Sequence, residues 1–226
     1  MPPVPAIALL DEATVSGRVA VKVCGIRDRE SLVAVAAAGV DAVGINFWPR
    51  SKRFVPPAEA AGWVAAAPPQ VLRVGIFVDP GDDEVLAAWE AGTIHAAQLH
   101  GNEPPAQCAR LMAAGVPVIK AVGLRVQDDL ARAAASGTPY VLVDAFAPGI
   151  FGGTGRTVDW ATVRAAWDRV PAVRLVLSGG LRPANVAAAV RAVRPAMVDA
   201  ASGVESAPGV KDLGKVREFV SAAAAG

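Results

Sequence analysis

Two side chains suited to proton transfer stand at the ends of apolar segments: the thiol of Cys24 and the carboxyl group of Asp144. A thiolate accepts a proton and a carboxylic acid donates one, so the two groups together suit general acid–base catalysis. Burying a carboxyl group is costly without a partner or a purpose, which makes Asp144 the stronger signal. Taken alone, Cys24 also fits a small buried core residue and Asp144 a cap of the following loop.

Glycine-rich segments occur at three later points of the chain. Glycine lets backbone N–H groups approach an anion closely, and such turns bind phosphate without a basic residue. One of them would fit an ordinary tight turn, but three in succession predict a substrate that carries a phosphate group. The absence of a following Gly-Lys-Ser/Thr excludes a nucleotide P-loop. The segments are Gly152-Gly153-Thr154-Gly155, Ser178-Gly179-Gly180 and Ser202-Gly203.

Basic residues offer two further kinds of chemistry. The run Arg50-Ser51-Lys52-Arg53 is typical of a solvated loop, but an arginine on the same rim as Cys24 would bind a substrate carboxylate through two hydrogen bonds. Lys120 ends another apolar run, and its amine would suit a Schiff-base aldolase. A barrel that binds a sugar phosphate without catalysis is the third hypothesis.

The elements that carry these residues alternate between short β-branched runs and alanine-rich amphipathic segments. Strands separated by helices predict right-handed βαβ units and a parallel sheet. Eight units without a break in composition favour an α/β fold, a single (β/α)8 TIM barrel, over an open sheet, and the Gly-x-Gly-x-x-Gly fingerprint of dinucleotide-binding sheets is missing. The predicted strands are 19–24, 42–47, 72–78, 94–99, 117–121, 140–144, 174–178 and 197–200; the predicted helices are 28–38, 58–67, 82–91, 104–114, 126–135, 160–168, 183–193 and 212–222.

Capping residues support these boundaries. Short polar side chains favour the start of a helix, and glycine favours the left-handed position that follows its end. The predicted N-caps are Asp28, Asp82 and Asp159, and the predicted terminating glycines are Gly39, Gly92, Gly115 and Gly137.

Strand parity predicts which side chains point into the barrel, because successive side chains alternate between the two faces. In the first strand Val21 and Val23 share the face expected to meet the helices, which places Cys24 inside. The same reasoning in the sixth strand places Asp144 inside. Both groups are therefore predicted at the carboxyl ends of their strands, where active sites of this fold are built.

Composition excludes several classes of protein. The chain has 226 residues, 53% of them hydrophobic, and 22 Lys+Arg against 21 Asp+Glu, which argues against nucleic acid as a partner. Two cysteines are too few for a disulfide framework and fit a reducing cytoplasm. Two histidines and two cysteines are too few for a zinc cluster, so no metal is predicted.

The first residues are treated apart from the barrel. We predict a flexible N-terminal extension over 1–17 and a catalytic domain over 18–226. The apolar stretch 5–10 is too short to span a bilayer, and no basic residue precedes it, so neither a membrane partner nor a secretory signal is predicted.

Motifs in family order, from Lys22 to Asp212, resemble the phosphoribosylanthranilate isomerases. The Lys-x-Cys-Gly start, combined with the Gly-Gly-Thr-Gly and Ser-Gly-Val-Glu segments, is a specific signature. The matching segments are 21–26, 46–55, Gln98-Leu99-His100-Gly101, Asp144 with 152–155 and Asp159-Trp160, 177–181 with Pro183 and Asn185, 199–205, Pro208-Gly209 and Lys211-Asp212.

The resemblance implies an Amadori rearrangement in tryptophan biosynthesis, without cofactor or metal. It implies that Asp144 is the general acid that opens the sugar ring, that Cys24 is the general base, and that Arg53 binds the anthranilate carboxylate. It leaves the choice between monomer and homodimer open. The residues expected near the phosphate are Gly153, Gly155, Gly179, Gly180, Ser202 and Gly203, with Asp199 lining the same end.

The chain departs from the family pattern at places that affect affinity more than reaction type. Lys52 replaces a common proline before the arginine, which is expected to loosen that loop. Ala200-Ala201 stand where Val-Ser is frequent, which removes a hydroxyl near the phosphate. The chain also starts earlier than is usual in the family.

Overall fold

The computed structural model describes residues 18–123, 128–144, 160–170 and 172–226. Eight parallel strands form a closed barrel in which each strand pairs with the next and β8 pairs with β1. The predicted single (β/α)8 barrel is thereby confirmed, and the predicted extension over 1–17 lies outside the described residues. The strands are β1 (Ala20–Cys24), β2 (Ala42–Asn46), β3 (Leu72–Phe77), β4 (Ala96–Leu99), β5 (Val118–Gly123), β6 (Tyr140–Asp144), β7 (Arg174–Leu177) and β8 (Met197–Ala200).

A helix follows each strand of the barrel. The predicted helix over 58–67 is shorter than expected: it ends at Ala61, and a 3₁₀ turn (Val64–Ala66) follows it. None of these helices is long and apolar enough to cross a bilayer, within the part of the chain that the structure describes. The helices are α1 (Arg29–Ala37), α2 (Pro57–Ala61), α3 (Asp82–Glu90), α4 (Pro105–Ala113), α5 (Asp128–Ala134), α6 (Trp160–Trp167), α7 (Pro183–Val193) and α8 (Leu213–Ala224).

The predicted helix ends are largely correct. The Asp28 carboxylate accepts a hydrogen bond from the Ser31 N–H at 2.7 Å, as an N-cap does. The prediction for Asp82 is wrong: α3 is capped by Gly81, whose N–H donates to the Glu84 carboxylate at 3.1 Å, and Asp82 is the first helical residue. Asp159 lies outside the described residues. All four terminating glycines, Gly39, Gly92, Gly115 and Gly137, have positive φ angles of 67° to 92°.

Barrel side chains separate into an inner and an outer set. The inner set is a small apolar cluster that includes Ala20 and Leu142. Val21, Val23, Val141 and Val143 belong instead to a larger cluster with helix residues. The parity prediction is confirmed, because the valines face the helices and the alternate residues of β1 and β6 face the interior.

A short antiparallel hairpin, which the sequence patterns did not predict, follows the last strand. It consists of β9 (Glu205–Ala207) and β10 (Val210–Lys211), joined through Gly209 at a φ of 82°. The hairpin places the side chains of Glu205 and Lys211 over the carboxyl end of β1. It therefore contributes two charged groups to the same rim as Cys24.

Candidate active site

The carboxyl ends of the strands surround a cavity of about 730 Å³. Cys24 enters it from β1 and Asp144 from β6, two strands that are separated by β7 and β8 in the closed barrel. Gly153 and Gly155 lie outside the described residues. All other predicted site residues line this one cavity: Cys24, Arg53, Asp144, Gly179, Gly180, Asp199, Ser202 and Gly203.

The Cys24 sulfur occupies space that is open because the neighbouring Gly44 has no side chain. Cys24 and Gly44 are register partners on adjacent strands, and a Cβ atom on Gly44 would stand 2.8 Å from the Cys24 sulfur. Burial raises the pKa of this thiol above its ordinary value, and the positive charge of Lys22 is the largest effect that opposes the rise. Asp199 adds to the rise, whereas Lys211 and Arg53 oppose it.

A fully buried ion pair lies next to the thiol inside the barrel. The Lys22 ammonium donates to Asp199 Oδ2 at 3.0 Å and to Gln98 Oε1 at 3.1 Å, and the Lys22 side chain has no exposed surface. Burial alone would lower the pKa of Lys22, but Asp199 and Cys24 raise it above its ordinary value. Lys22 is therefore protonated at neutral pH. The second Asp199 oxygen, Oδ1, is buried and has no hydrogen-bond partner.

Gln98 and His100 connect this ion pair with Asp144. Because the Gln98 oxygen accepts from Lys22, its amide N–H faces His100 Nδ1, at 3.0 Å. His100 Nδ1 then acts as acceptor, which assigns the ring proton to Nε2 by the hydrogen-bond network. That nitrogen lies 3.6 Å from Asp144 Oδ2. Burial, with the charges of Lys22 and Lys120, lowers the pKa of His100 to about 4, so the ring is neutral at neutral pH.

Arg53 is held at the rim by Glu205. Its Nε and Nη2 each donate to the Glu205 carboxylate at 2.7 Å, which uses two of the five guanidinium N–H donors. Burial would raise the pKa of Glu205, but Arg53 and Lys211 together lower it below its ordinary value. Lys211 also donates to the Cys24 carbonyl at 2.6 Å. Through these contacts Arg53, Glu205 and Lys211 connect the hairpin to the carboxyl end of β1.

Gly25 explains part of the Lys-x-Cys-Gly motif. Its φ is 89°, and a Cβ atom there would stand 2.3 Å from Arg53 Cδ. Glycine is needed both for the backbone turn and for the passage of the arginine side chain. The loop that carries Arg53 is itself fixed, because Val55 N–H donates to the Asn46 carbonyl at 2.9 Å and Arg53 N–H to Ser51 Oγ at 3.1 Å. The loosening expected from Lys52 stays a prediction.

Glycine turns after β7 and β8 form another part of the cavity wall. Gly179 and Gly180 both have positive φ, at 93° and 66°. Ser202 and Gly203 begin a 3₁₀ turn directly after β8. A Cβ atom on Gly203 would stand 1.8 Å from the Leu181 carbonyl oxygen, so the two turns are in closest contact there.

We expect Gly203→Ala to raise KM for a phosphate-bearing substrate by about tenfold, or roughly 1.4 kcal/mol of binding free energy. The new methyl group must separate the two turns, which displaces the N–H groups on both. Steady-state kinetics measure the effect. Gly81→Ala is the control, because a Cβ there meets nothing nearer than 3.6 Å. An unchanged KM in Gly203→Ala would remove these turns from the binding site.

The geometry contradicts the aldolase hypothesis. Ile119 and Ala121 belong to the inner cluster, so Lys120 between them faces the opposite side of β5 and does not line the cavity. Its ammonium donates to Glu103 Oε2 at 2.6 Å and to the Gly101 carbonyl at 2.9 Å. Lys120 thus fixes the loop after β4 and is not presented to a substrate.

Sequence reasoning gave no role to five residues of the site. The sequence motifs include Lys22, Gln98 and His100 but assign them no role. For Lys22 a signal existed, because a lysine at an inward position of an apolar strand indicates a buried partner of opposite charge. Glu205 and Lys211 depend on the hairpin, for which no signal was recognised. Among the described residues, no group of three or more His, Cys, Asp and Glu side chains could hold a metal ion.

A closed barrel whose carboxyl-terminal cavity combines a thiol, carboxyl groups and glycine turns defines a (β/α)8-barrel enzyme. A sequence model described as N-(5'phosphoribosyl)anthranilate (PRA) isomerase matches residues 21–222. The chain belongs to this family of isomerases of tryptophan biosynthesis.

Individual relatives agree with this assignment. The N-(5'-phosphoribosyl)anthranilate isomerase of Myxococcus xanthus is 45% identical over 210 residues, which cover 91% of this chain and 96% of the relative. The crystal structure of the Thermotoga maritima enzyme has a TM-score of 0.83 at 40% identity and covers 91% of this chain and 98% of its own. A second solved structure, in complex with reduced 1-(o-carboxyphenylamino)-1-deoxyribulose 5-phosphate, has a TM-score of 0.80 at 39% identity, with 91% and 98% covered.

Proposed function

We propose that the protein converts N-(5'-phosphoribosyl)anthranilate into 1-(2-carboxyphenylamino)-1-deoxyribulose 5-phosphate, with Asp144 as general acid and Cys24 as general base. The observation that carries the proposal is that both groups line one cavity from β1 and β6, together with the glycine turns after β7 and β8. Membership of the isomerase family supports the reaction, and the lining of the cavity supports the choice of residues.

Asp144 carries out the first step. Its carboxylic acid donates a proton to the furanose ring oxygen, the bond from C1 to that oxygen breaks, and the nitrogen lone pair forms a C1=N iminium. The neutral His100 ring, with Nε2 3.6 Å from Asp144 Oδ2, adds no positive charge that would favour the ionised carboxylate. Asp144 is buried at the carboxyl end of β6 and lines the cavity, which supports its assignment as the acid.

Cys24 carries out the second step. Its thiolate takes the proton from C2, the electron pair forms C1=C2, and the resulting enaminol tautomerises to the aminoketose. The iminium acidifies the C2–H bond, so a modest base suffices, and the substrate's own nitrogen serves as electron sink in place of a cofactor. Each positioned acid or base typically contributes about 100- to 10,000-fold.

The remaining predicted residues bind the two ends of the substrate. Backbone N–H groups at Gly179, Gly180, Ser202 and Gly203, with Gly153 and Gly155, are proposed to bind the phosphate. Asp199 Oδ1 is buried without a partner and lines the cavity, which supports a role as acceptor for a substrate hydroxyl. Arg53 is proposed to bind the anthranilate carboxylate with the donors that Glu205 leaves free.

Arg53→Ala is expected to raise KM by about ten- to a hundredfold with a smaller effect on kcat, since a hydrogen bond to a charged group is worth roughly 1.5–3 kcal/mol. The carboxylate lies at the substrate end remote from the bonds that change. Steady-state kinetics separate KM from kcat. Arg110→Ala, which removes an exposed arginine paired with Asp82, is the control. An unchanged KM in Arg53→Ala would exclude contact with the carboxylate.

The direct test of the reaction is a mixture of purified protein and freshly prepared phosphoribosylanthranilate. The substrate's fluorescence is expected to decay with time at a rate proportional to enzyme concentration. A rate equal to spontaneous decomposition would instead support a barrel that binds a sugar phosphate without catalysis. Assembly as a monomer or a homodimer stays a prediction; the related Thermotoga maritima enzyme is described as dimeric, and one of its solved structures is of monomers generated from it. Cytoplasmic location also stays a prediction, with which the two free thiols are compatible.

A further inference from the structure

The role of Lys22 is not explained by the two proton-transfer steps. Its side chain is completely buried inside the barrel, two residues before Cys24 on the same face of β1. Removing an ammonium group from water costs several kcal/mol unless its surroundings compensate. The apolar residues of the inner cluster show that aliphatic side chains can fill the neighbouring positions. A buried cation at this point therefore needs a reason beyond packing.

The contacts of Lys22 fix its position tightly. Asp199 is the register partner of Lys22 on the neighbouring strand, and its Oδ2 accepts from the ammonium at 3.0 Å. Gln98 Oε1 accepts from the same ammonium at 3.1 Å. An ammonium group has three N–H donors, so these two contacts leave one free. Cys24 lies two residues further along β1, on the same face of the strand and at its carboxyl end.

We propose that Lys22 is a positioning residue whose ammonium, held by Asp199 and Gln98, acts as a fixed counter-ion that stabilises the thiolate form of Cys24, the form that takes the C2 proton. The inference rests on the proposed role of Cys24 as general base. A thiol buried beside a cation is a recognised way to obtain a reactive thiolate.

Charged groups around the sulfur act in different directions. Lys22 lowers the pKa of Cys24 most, Lys211 and Arg53 lower it less, and Asp199 raises it. His100 and Asp144 line the other side of the same cavity. Removing Lys22 and neutralising Asp199 must therefore shift the thiol titration in opposite directions. A purely structural role of the ion pair would give no such opposition.

The experiment measures the pH dependence of Cys24 alkylation by iodoacetamide in the full-length protein without substrate, with the modified peptide quantified by mass spectrometry. In Lys22→Met the midpoint is expected to rise by about one pH unit or more, which means about tenfold less thiolate at a given pH. In Asp199→Asn it is expected to fall. Lys22→Arg, which keeps the positive charge, is expected to restore a midpoint closer to that of the unchanged protein.

The double variant Lys22→Met/Asp199→Asn separates an effect of misfolding from an effect of charge. It removes both members of the ion pair, so no Asp199 carboxylate is left buried without its partner. Its midpoint is also expected to lie above that of the unchanged protein, because Lys22 affects the thiol more than Asp199 does. Midpoints that stay unchanged, or that move in the same direction in both single variants, would overturn the proposal.

The ascending limb of kcat/KM against pH separates this inference from the proposed function. It is expected to move with the alkylation midpoint in Lys22→Met. If alkylation shifts as expected while the kcat/KM profile stays in place, Lys22 does control the thiol, and it is the assignment of Cys24 as general base that fails.

Discussion

We expect Asp144→Asn to lower kcat by at least about 100-fold, because the amide has no proton acidic enough to transfer to the ring oxygen. The substitution keeps the size and shape of the side chain, so the cavity and substrate affinity should change little. The loss should therefore appear in kcat and in kcat/KM to a similar extent. The fluorescence assay under saturating substrate measures it.

Asp129→Asn provides the matched control for this variant. Asp129 is also a buried aspartate, but it lies on α5, pairs with Arg132 and does not line the cavity. Its replacement is expected to leave kcat within a factor of about two, since residues remote from the chemistry contribute through the fold alone. Activity of Asp144→Asn near that of the control would contradict the assignment of Asp144 as general acid.

We expect Cys24→Ala to lower kcat by at least about 100-fold as well, through loss of the base that takes the C2 proton. The residual reaction would depend on water as the base, with the ring-opening step still available from Asp144. Cys24 lines the cavity and the substitution only shortens its side chain, so the variant is expected to fold normally, and its thermal unfolding serves as a check. Turnover close to that of the unchanged enzyme would exclude Cys24 as the base.

The second cysteine gives an internal comparison. Cys108 is completely buried on α4 in a core cluster and does not line the cavity. Cys108→Ala is expected to cost about 1 kcal/mol of stability through lost packing, without a fall in kcat. A thiol reagent that inactivates the enzyme should act through Cys24, and substrate should slow the inactivation.

The fold could be predicted from sequence because its signals are local and repeated. Every strand except β4 carries β-branched residues, the helices are rich in alanine, and four glycines with positive φ end the helices where expected. Parity then placed Cys24 and Asp144 inside without any knowledge of the register. Asp82 failed as an N-cap because the Glu84 carboxylate binds the Gly81 N–H, so Gly81 takes the cap position and Asp82 is the first helical residue.

Contacts that depend on barrel closure could not be predicted in the same way. Lys22 and Asp199 are 177 positions apart and become register partners only because β8 pairs with β1. The pairing of Arg53 with Glu205 depends on the turn after β8 that leads into the hairpin, whose short strands have no clear hydrophobic alternation. The sequence identified the groups that do chemistry. The groups that set their charge and orientation required the three-dimensional arrangement.

The division of work between the two groups can be tested most directly with substrate deuterated at C2 of the sugar. In Cys24→Ser, where a poorer base makes cleavage of the C2–H bond slow, the deuterated substrate should react more slowly than the ordinary one. In Asp144→Asn, where ring opening limits the rate, the two substrates should react equally fast. Equal rates in Cys24→Ser, or a deuterium effect confined to Asp144→Asn, would contradict the roles assigned to the thiol and the carboxyl group.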